Sequence, residues 1–361
     1  MTRMKKCLGF WLILNSLMKS TTSTLYDYSS QSLTSLPNIP LDAQQILFKY
    51  NKLTSISDQD FKNFVDVWRI DLLQNLIASI SQNAFDYNTK LTMLELSNNP
   101  IGIFPYFPAL QTRSLTFGLM GCHITDTTWD RVVGYTNLNA LYLNNNNFLQ
   151  LPIFNSACKS VLTNIMLSNC GIGEIPADYF QGFVKLTHLF LDSNQISSLS
   201  VSAFAGLTKL QKLSITNNQI TMIENLAAQI PTLQILDARS NLLNSFPDLS
   251  GLSLLTTLKL DDNAISGVVS ASLFIGVSKL AMITVSNNAI SKFEESSLQH
   301  MPSLETLDLE SNRYVQCITG KHRDWGKNFS KWVMCQYCVI TNIFPIFYIE
   351  NHICMLDYVP S

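Results

Sequence analysis

The sequence predicts an α/β solenoid of about twelve repeats, with a parallel β-sheet on its concave side and a cap at each end. One observation is that the template L-x-x-L-x-L-x-x-N-x-L fits twelve consecutive segments, spaced 22 to 25 residues apart. Another is that 47 of the 48 apolar template positions are apolar, Ser114 being the exception, whereas a chain that is 47% hydrophobic would fill about half by chance. Segments too short to bury their own apolar face must stack and share one core.

Each repeat is predicted to contain one short strand followed by a turn at the ninth template position. Apolar and variable residues alternate in segments such as Leu189-Phe190-Leu191, so the leucines point into the core and the residue between them points out. The side-chain amide of an asparagine can then bond to backbone groups of its own and adjacent coils. We call the ninth template position the ladder position, because the same residue recurs there from coil to coil. The ladder residues are Asn51, Asn75, Asn99, Cys122, Asn146, Cys170, Asn194, Asn218, Asn241, Asn263, Asn288 and Asn312.

The repeats resemble the leucine-rich repeat family, as in LTHLFLDSNQISSL from Leu186 and LQKLSITNNQITMI from Leu210. The resemblance runs from about Leu33 to Cys317. Phenylalanine recurs ten residues after the ladder position at Phe61, Phe85, Phe180 and Phe204. With a period near 24, this is similar to the typical subtype of extracellular animal proteins. The resemblance implies a leucine-rich repeat horseshoe that works as a binding module.

The chain divides into four predicted regions. Residues 1–23 combine basic residues, a short apolar run and a small polar stretch, and are interpreted as a secretory signal peptide. The amino-terminal cap is assigned to residues 24–42, with Leu33, Leu36 and Ile39 as its apolar plug, and the repeats to residues 43–317. Residues 318–361 are assigned to a divergent carboxy-terminal cap. After signal removal, we expect no membrane insertion.

Four cysteines follow the last repeat and are the disulfide candidates of the carboxy-terminal cap: Cys317, Cys335, Cys338 and Cys354. The alternative is a zinc site, in which Cys335, Cys338 and Cys354 would be joined by His322 or His352. Because a second paired motif of zinc ligands is missing, the sequence favours disulfides and no metal. Cys122 and Cys170 lie two coils apart, too far to bond each other, and are expected to be buried thiols.

Sequence motifs for catalysis and for cofactors are absent. The five histidines do not form H-E-x-x-H, and neither a G-x-S-x-G elbow nor a phosphate-binding glycine loop occurs. We therefore predict that the protein is not an enzyme and uses no cofactor. With 24 basic and 26 acidic residues, a net charge of -2 and no run of basic residues, nucleic acid is not an expected partner.

The outward residues of the concave sheet are the predicted ligand-binding surface. Tyr142, Met166 and Phe190 occupy the same outward position in three consecutive coils and are expected to form an exposed apolar ridge. Beside it, the predicted site also includes His188, Asp192, Asp237 and Arg239. The alternative is that these residues merely favour strand geometry. If the ridge binds, Tyr142→Ala and Phe190→Ala should weaken binding and leave thermal stability nearly unchanged.

The sequence therefore predicts a secreted, extracellular protein that recognises a protein or glycan ligand through its concave face. Two alternatives stay open: the ectodomain of a receptor whose membrane anchor is not in this chain, and a structural matrix protein without a single dedicated ligand. Asn328, in Asn-Phe-Ser, is the one N-glycosylation motif and is a predicted glycosylation site on a secretory route.

Overall fold

A parallel sheet of fourteen strands runs the length of the solenoid. The computed structural model describes residues 23–125, 129–148 and 150–312, together with the backbone of residues 333–334. Twelve of the strands belong to the twelve predicted repeats, so the predicted fold class is confirmed. One further strand, Leu25–Asp27, precedes them at one edge of the sheet, and another, Val333–Met334, follows them at the other edge. The strands of this sheet are β1 (Leu25–Asp27), β2 (Gln45–Leu47), β4 (Arg69–Asp71), β6 (Met93–Glu95), β7 (Leu115–Gly118), β8 (Leu138–Tyr142), β9 (Asn164–Met166), β10 (His188–Phe190), β11 (Lys212–Ser214), β12 (Ile235–Asp237), β13 (Thr257–Lys259), β15 (Met282–Thr284), β17 (Thr306–Asp308) and β18 (Val333–Met334).

The return segments on the convex side contain short helices and two small sheets. The α-helices span Asp130–Val133, Ser156–Val161 and Leu226–Gln229, and 3-10 turns span Pro108–Leu110, Ala271–Phe274 and Glu295–His300. Strands β3 (Ser55–Ile56) and β5 (Ser79–Ile80) pair in parallel, as do β14 (Ser266–Val269) and β16 (Ala289–Phe293). Such short elements have little stability alone and depend on the shared core beneath them.

The core contains every apolar template residue of the described chain. The one polar template residue, Ser114, is exposed, and Leu115 is fully buried beside it. The strand pairing shifts register between Leu115 and Thr116, which lets Leu115 take the core position that the template assigns to residue 114. Phenylalanines of successive coils also stack behind the sheet, with ring centroids 5.7 Å apart for Phe61 and Phe85. The core is therefore continuous from coil to coil.

The ladder asparagines bond as their position predicts. Asn146 Nδ2 donates to the carbonyl oxygens of Leu119 in the preceding coil (2.9 Å) and Leu143 in its own (2.7 Å). Its Oδ1 accepts from the backbone N–H groups of Cys122 (3.1 Å) and Ile124 (2.9 Å). All of these groups are buried, so the amide satisfies backbone that a turn in the core would leave unpaired.

The residue before each ladder position adopts a left-handed conformation, with φ between 52° and 62° in all twelve repeats. Five of these residues are asparagine and one is glycine, the residue types that tolerate this region best. This explains the Asn-Asn pairs of the sequence, such as Asn98-Asn99 and Asn217-Asn218. The first asparagine is suited to the backbone turn and the second supplies the buried amide.

Cysteine replaces only the donor half of the ladder amide. Cys122 Sγ contacts the carbonyl oxygen of Leu96 (3.3 Å), and Cys170 Sγ contacts that of Leu143 (3.2 Å). A thiol offers no acceptor comparable to the Oδ1 of an asparagine. Phe148 N–H, which stands where Ile124 N–H donates to Asn146 Oδ1, donates to the backbone carbonyl of Cys170 instead (2.9 Å). Both cysteines are buried and free, which confirms the expectation of unpaired thiols, and Cys158 is likewise buried and free.

We expect these three thiols to resist alkylation in the folded protein. Burial raises the pKa of Cys122 and Cys170 to about 12 and that of Cys158 to about 11, so the reactive thiolate is rare at pH 8. Iodoacetamide labelling at pH 8, read by peptide mass spectrometry, should modify them only after denaturation. Equal labelling of native and denatured protein would contradict this.

At the amino-terminal end, β1 pairs with β2 and covers the first coil. Ile39 is buried, and Leu33 and Leu36 pack against the core. Several predicted features lie outside the described residues: positions 1–22 of the predicted signal peptide, the disulfide candidates Cys317, Cys335, Cys338 and Cys354, and Asn328. Within the described chain, no helix is both long and apolar enough to cross a membrane.

Candidate functional site

The concave face presents one outward residue per coil in a continuous column. Parallel pairing places Asp71 next to Glu95, and the same register holds through each following strand to Asp308. Neighbouring strands lie about 4.8 Å apart, so adjacent side chains in this column touch. The column consists of Leu47, Asp71, Glu95, Gly118, Tyr142, Met166, Phe190, Ser214, Asp237, Lys259, Thr284 and Asp308.

The predicted apolar residues do come together, in a cluster separate from the main core. Tyr142 and Met166 form it with Ala140, and Met120 and Phe190 pack against it. The expected exposure is wrong for two members: Tyr142 is only 8% exposed and Met166 only 6%, whereas Phe190 is half-buried. The side chains cover one another because strand spacing is smaller than their width. Tyr142→Ala would therefore cost stability, contrary to the expectation from sequence.

Phe190 carries charged and aromatic neighbours on its exposed side. The His188 ring lies parallel to the Phe190 ring, with centroids 6.4 Å apart, and bonds through Nδ1 to the hydroxyl of Thr187 (2.9 Å). Lys212 places its ammonium group 5.0 Å from the centre of the Phe190 ring. Burial and the nearby charge of Lys212 lower the pKa of His188. Phe190 is thus the accessible end of the apolar cluster.

The predicted acidic residues are occupied by contacts within the sheet. Asp192 Oδ1 accepts from the backbone N–H of Thr216 (2.9 Å) and from its hydroxyl (2.9 Å), and Ser214 also donates a hydroxyl to it. Asp237 and Arg239 form a two-bond ion pair, at 2.8 and 2.7 Å. That hydrogen-bonded pair raises the pKa of Arg239. These carboxylates stabilise the sheet surface.

A buried charged group in the first coils was not recognised from the sequence. Asp71 is fully buried and accepts an ion-pair contact from Arg69 (3.1 Å). Glu95, on the next strand, is 6% exposed and its Oε1 accepts the N–H of Ser97 (2.8 Å). Burial and the charge of Asp71 raise the pKa of Glu95 to about 7. One feature of the sequence could have revealed this group. Asp71 and Glu95 occupy the same outward position in two consecutive coils, and Arg69 lies two residues before Asp71.

Gly118 makes room for this carboxylate. A Cβ atom at Gly118 would collide with both carboxylate oxygens of Glu95, so the Glu95 side chain lies over the missing side chain of the next strand. The charge of Glu95 in turn contributes to the raised pKa of Tyr142, about 12, after the larger effect of burial. Glu95 therefore borders the apolar cluster. Among the described residues, no cluster of three or more metal-ligating side chains occurs.

Comparison with known proteins agrees with the repeated coil. The sequence matches the Leucine rich repeat family profile at residues 44–101, 160–220 and 255–313. The chain belongs to the leucine-rich repeat family. This leucine-rich repeat protein is 28% identical to human epiphycan over 155 residues, 37% of this chain and 48% of epiphycan. It is 24% identical to rat osteomodulin over 181 residues, 44% of this chain and 43% of osteomodulin.

The similarity to these relatives covers less than half of their own lengths. Human opticin matches a shorter segment, 32% identical over 77 residues, which is 21% of this chain and 23% of opticin. Epiphycan, osteomodulin and opticin are extracellular leucine-rich repeat proteins of the small proteoglycan group. The leucine-rich repeat fold also superimposes on a leucine-rich repeat protein of Leptospira interrogans with a TM-score of 0.67, at 20% identity, over 79% of this chain and 77% of that one.

Proposed function

We propose that this chain is an extracellular leucine-rich repeat protein of the matrix type that binds a protein partner through its concave face. The extracellular setting is supported by the similarity to epiphycan, osteomodulin and opticin. The observation that carries the binding role is the half-buried Phe190 at the edge of an apolar cluster on the concave side. A partner that covers Phe190 would complete the burial of this cluster.

Phe190 has the setting of an interface hot spot. Its ring packs against the cluster that contains Met166, its neighbour in the sheet, and His188 and Lys212 lie beside the ring. Interface energy concentrates at aromatic residues held on a rigid base and surrounded by polar groups. The parallel sheet supplies the base, since β10 is hydrogen-bonded on both sides. The family role is non-catalytic binding, and the concave chemistry supports that role here.

We expect Phe190→Ala to weaken partner binding at least ten-fold while the melting temperature changes by only a few degrees. The half-buried ring contributes more to a covered interface than to the exposed face of the free protein. The full chain would be used to capture partners from extracellular fluid, and the captured partner titrated by surface plasmon resonance. Tyr87→Ala, which removes an aromatic ring that is 59% exposed on another surface, is the matched control.

Equal affinity of wild type and Phe190→Ala for every captured partner would contradict the concave-face proposal. Capture of a partner that is lost with Tyr87→Ala would place the binding surface elsewhere.

A receptor ectodomain is the second candidate. The chain is 32% identical to rat leucine-rich repeat-containing G-protein coupled receptor 5 over 100 residues, 27% of this chain and 11% of the receptor. The fold also resembles a chain in a complex of Latrophilin 3, Unc5D and FLRT2, with a TM-score of 0.57. Expression of the full-length gene product distinguishes the two candidates: recovery from medium and matrix supports the matrix protein, and recovery with the membrane fraction supports the receptor.

A further inference from the structure

Two consecutive coils place three lysines and one histidine where the chain enters the concave sheet. Lys185 and Lys209 occupy the same position in the tight turns before β10 and β11, which are closed by N–H bonds from Leu186 to Phe183 and from Leu210 to Leu207. Three residues later, His188 and Lys212 face each other as register partners. We call Lys185, His188, Lys209 and Lys212 the basic strip.

The side chains of the basic strip are accessible. Lys185 and Lys209 are exposed, and His188 and Lys212 are half-buried. The ammonium group of Lys212 lies against the Phe190 ring, and among the ion pairs of the described chain none involves the three lysines. The backbones of neighbouring coils lie about 4.8 Å apart, so an anion bound at this place can contact lysines of both coils.

Neutral polar groups surround the basic strip, and the nearest carboxylates on the following segments, Asp192 and Asp237, are bonded to Thr216 and Arg239. The corresponding turn and strand segments of the two preceding coils, residues 136–142 and 160–166, contain no aspartate or glutamate, nor do 184–190 and 208–214. In the following coil, Asp237 is the register partner of Ser214 and is ion-paired with Arg239. Asn164, Thr187 and Gln211 lie on these segments and offer amide and hydroxyl groups at or near the surface. The combination of cationic and hydrogen-bonding groups suits a ligand that carries both anionic and hydroxyl groups.

Other lysines of the same turn position lack this arrangement. Lys90 is ion-paired with Asp66 of the preceding coil (2.6 Å), and Lys279 has no basic neighbour at the same position in the adjacent coils, where Leu254 and Ser303 stand. The basic strip is therefore a local concentration of charge in a chain whose net charge is -2. Sequence distance concealed it, because its two halves are 24 residues apart.

We propose that the basic strip binds a sulfated glycan chain, which runs along the stack of coils across the strand entrances. A linear polyanion can contact lysines that repeat at the coil spacing, and its hydroxyl groups can bond to the neutral residues between them. The strip contains no arginine, and its outer lysines, Lys185 and Lys209, are exposed without an apolar anchor beside them, which suits a polyanion better than a protein surface. This proposal rests on the extracellular setting proposed above, and the strip shares His188 and Lys212 with the surface around Phe190.

The test measures binding of the full chain to immobilised heparin and chondroitin sulfate at 0.15 M salt. The triple variant Lys185→Gln, Lys209→Gln, Lys212→Gln should raise the dissociation constant at least ten-fold. The matched control is Lys52→Gln, Lys279→Gln, Lys292→Gln, which makes the same change in net charge at exposed lysines elsewhere and should change it less than two-fold. Thermal unfolding of both triple variants checks that the fold is intact.

Three results would overturn the proposal. The first is that the wild type binds neither glycan, and the second is that both triple variants lose binding equally. The third is that polyglutamate binds as tightly as the glycans and loses affinity equally in the strip variant, which would assign the strip to an acidic protein segment. Phe190→Ala should retain glycan binding within two-fold. Glycan binding without any captured protein partner would therefore support the basic strip while contradicting the partner proposal.

Discussion

Replacement of Asn146 by alanine is expected to destabilise the solenoid by about 3 to 5 kcal/mol. The alanine would leave the N–H groups of Cys122 and Ile124 and the carbonyl oxygens of Leu119 and Leu143 without their side-chain partner. A buried backbone group left unpaired costs about 1 to 3 kcal/mol, and relaxation of the turn recovers part of the total. The loss is large because one amide bonds to two coils.

Urea unfolding monitored by circular dichroism measures this effect. Asn63→Ala is the control, because Asn63 is an exposed asparagine, and it should change the free energy of unfolding by less than about 0.5 kcal/mol. Asn146→Cys should fall between wild type and Asn146→Ala, since the thiol keeps a donor, as Cys122 and Cys170 do, and loses the acceptor. A loss below about 1 kcal/mol for Asn146→Ala would contradict the proposed bonding.

Glu95→Gln is expected to stabilise the protein at pH 8 by on the order of 2 kcal/mol and to have little effect at pH 5. The pKa of Glu95 is raised from 4.5 to about 7 by burial and by the charge of Asp71. Between these values the folded state holds the proton more tightly than the unfolded state. The free energy of unfolding therefore falls as the pH rises from about 4.5 to about 7, and the loss is complete above that range.

Glutamine removes the buried charge and keeps an oxygen that can accept the N–H of Ser97. The measurement is urea unfolding of wild type and variant at pH 5, 6, 7 and 8, because the difference between them isolates Glu95 from other titrating groups. Glu224→Gln, an exposed glutamate, is the matched control and should show no such difference. A variant that is less stable than wild type at pH 8 would show that the Glu95 charge is stabilising.

The period and the apolar pattern were sufficient to predict the repeats and the register of the sheet. The outward column of Tyr142, Met166 and Phe190 was predicted correctly because strand alternation has period two and each coil repeats the same strand. The roles of Asn146 and Cys170 followed from the same register, since a turn buried between coils must satisfy its backbone. Only the structure explains the exception at Ser114: Leu115 enters the core in its place, and Ser114 is exposed.

The candidate site was predicted less completely, because neighbours on the concave face compete for space and charge. Tyr142 and Met166 were correctly placed side by side, yet their burial depends on how widely each side chain spreads over the next strand. Asp192 and Asp237 looked available for a ligand but bond to Thr216 and Arg239. Hydrogen-bond partners in adjacent coils cannot be chosen from a column of residue types alone.

The sequence by itself determined the solenoid, its coil number and which residue of each strand points outward. These features follow from the apolar pattern within each repeat and from the regular recurrence of that pattern. Only the tertiary structure decided which outward residues are accessible. Stacking brings Lys185 and Lys209 together from 24 residues apart and lays Glu95 over Gly118. The physical reason is that charge and side-chain volume act between coils about 4.8 Å apart, a distance unrelated to separation along the chain.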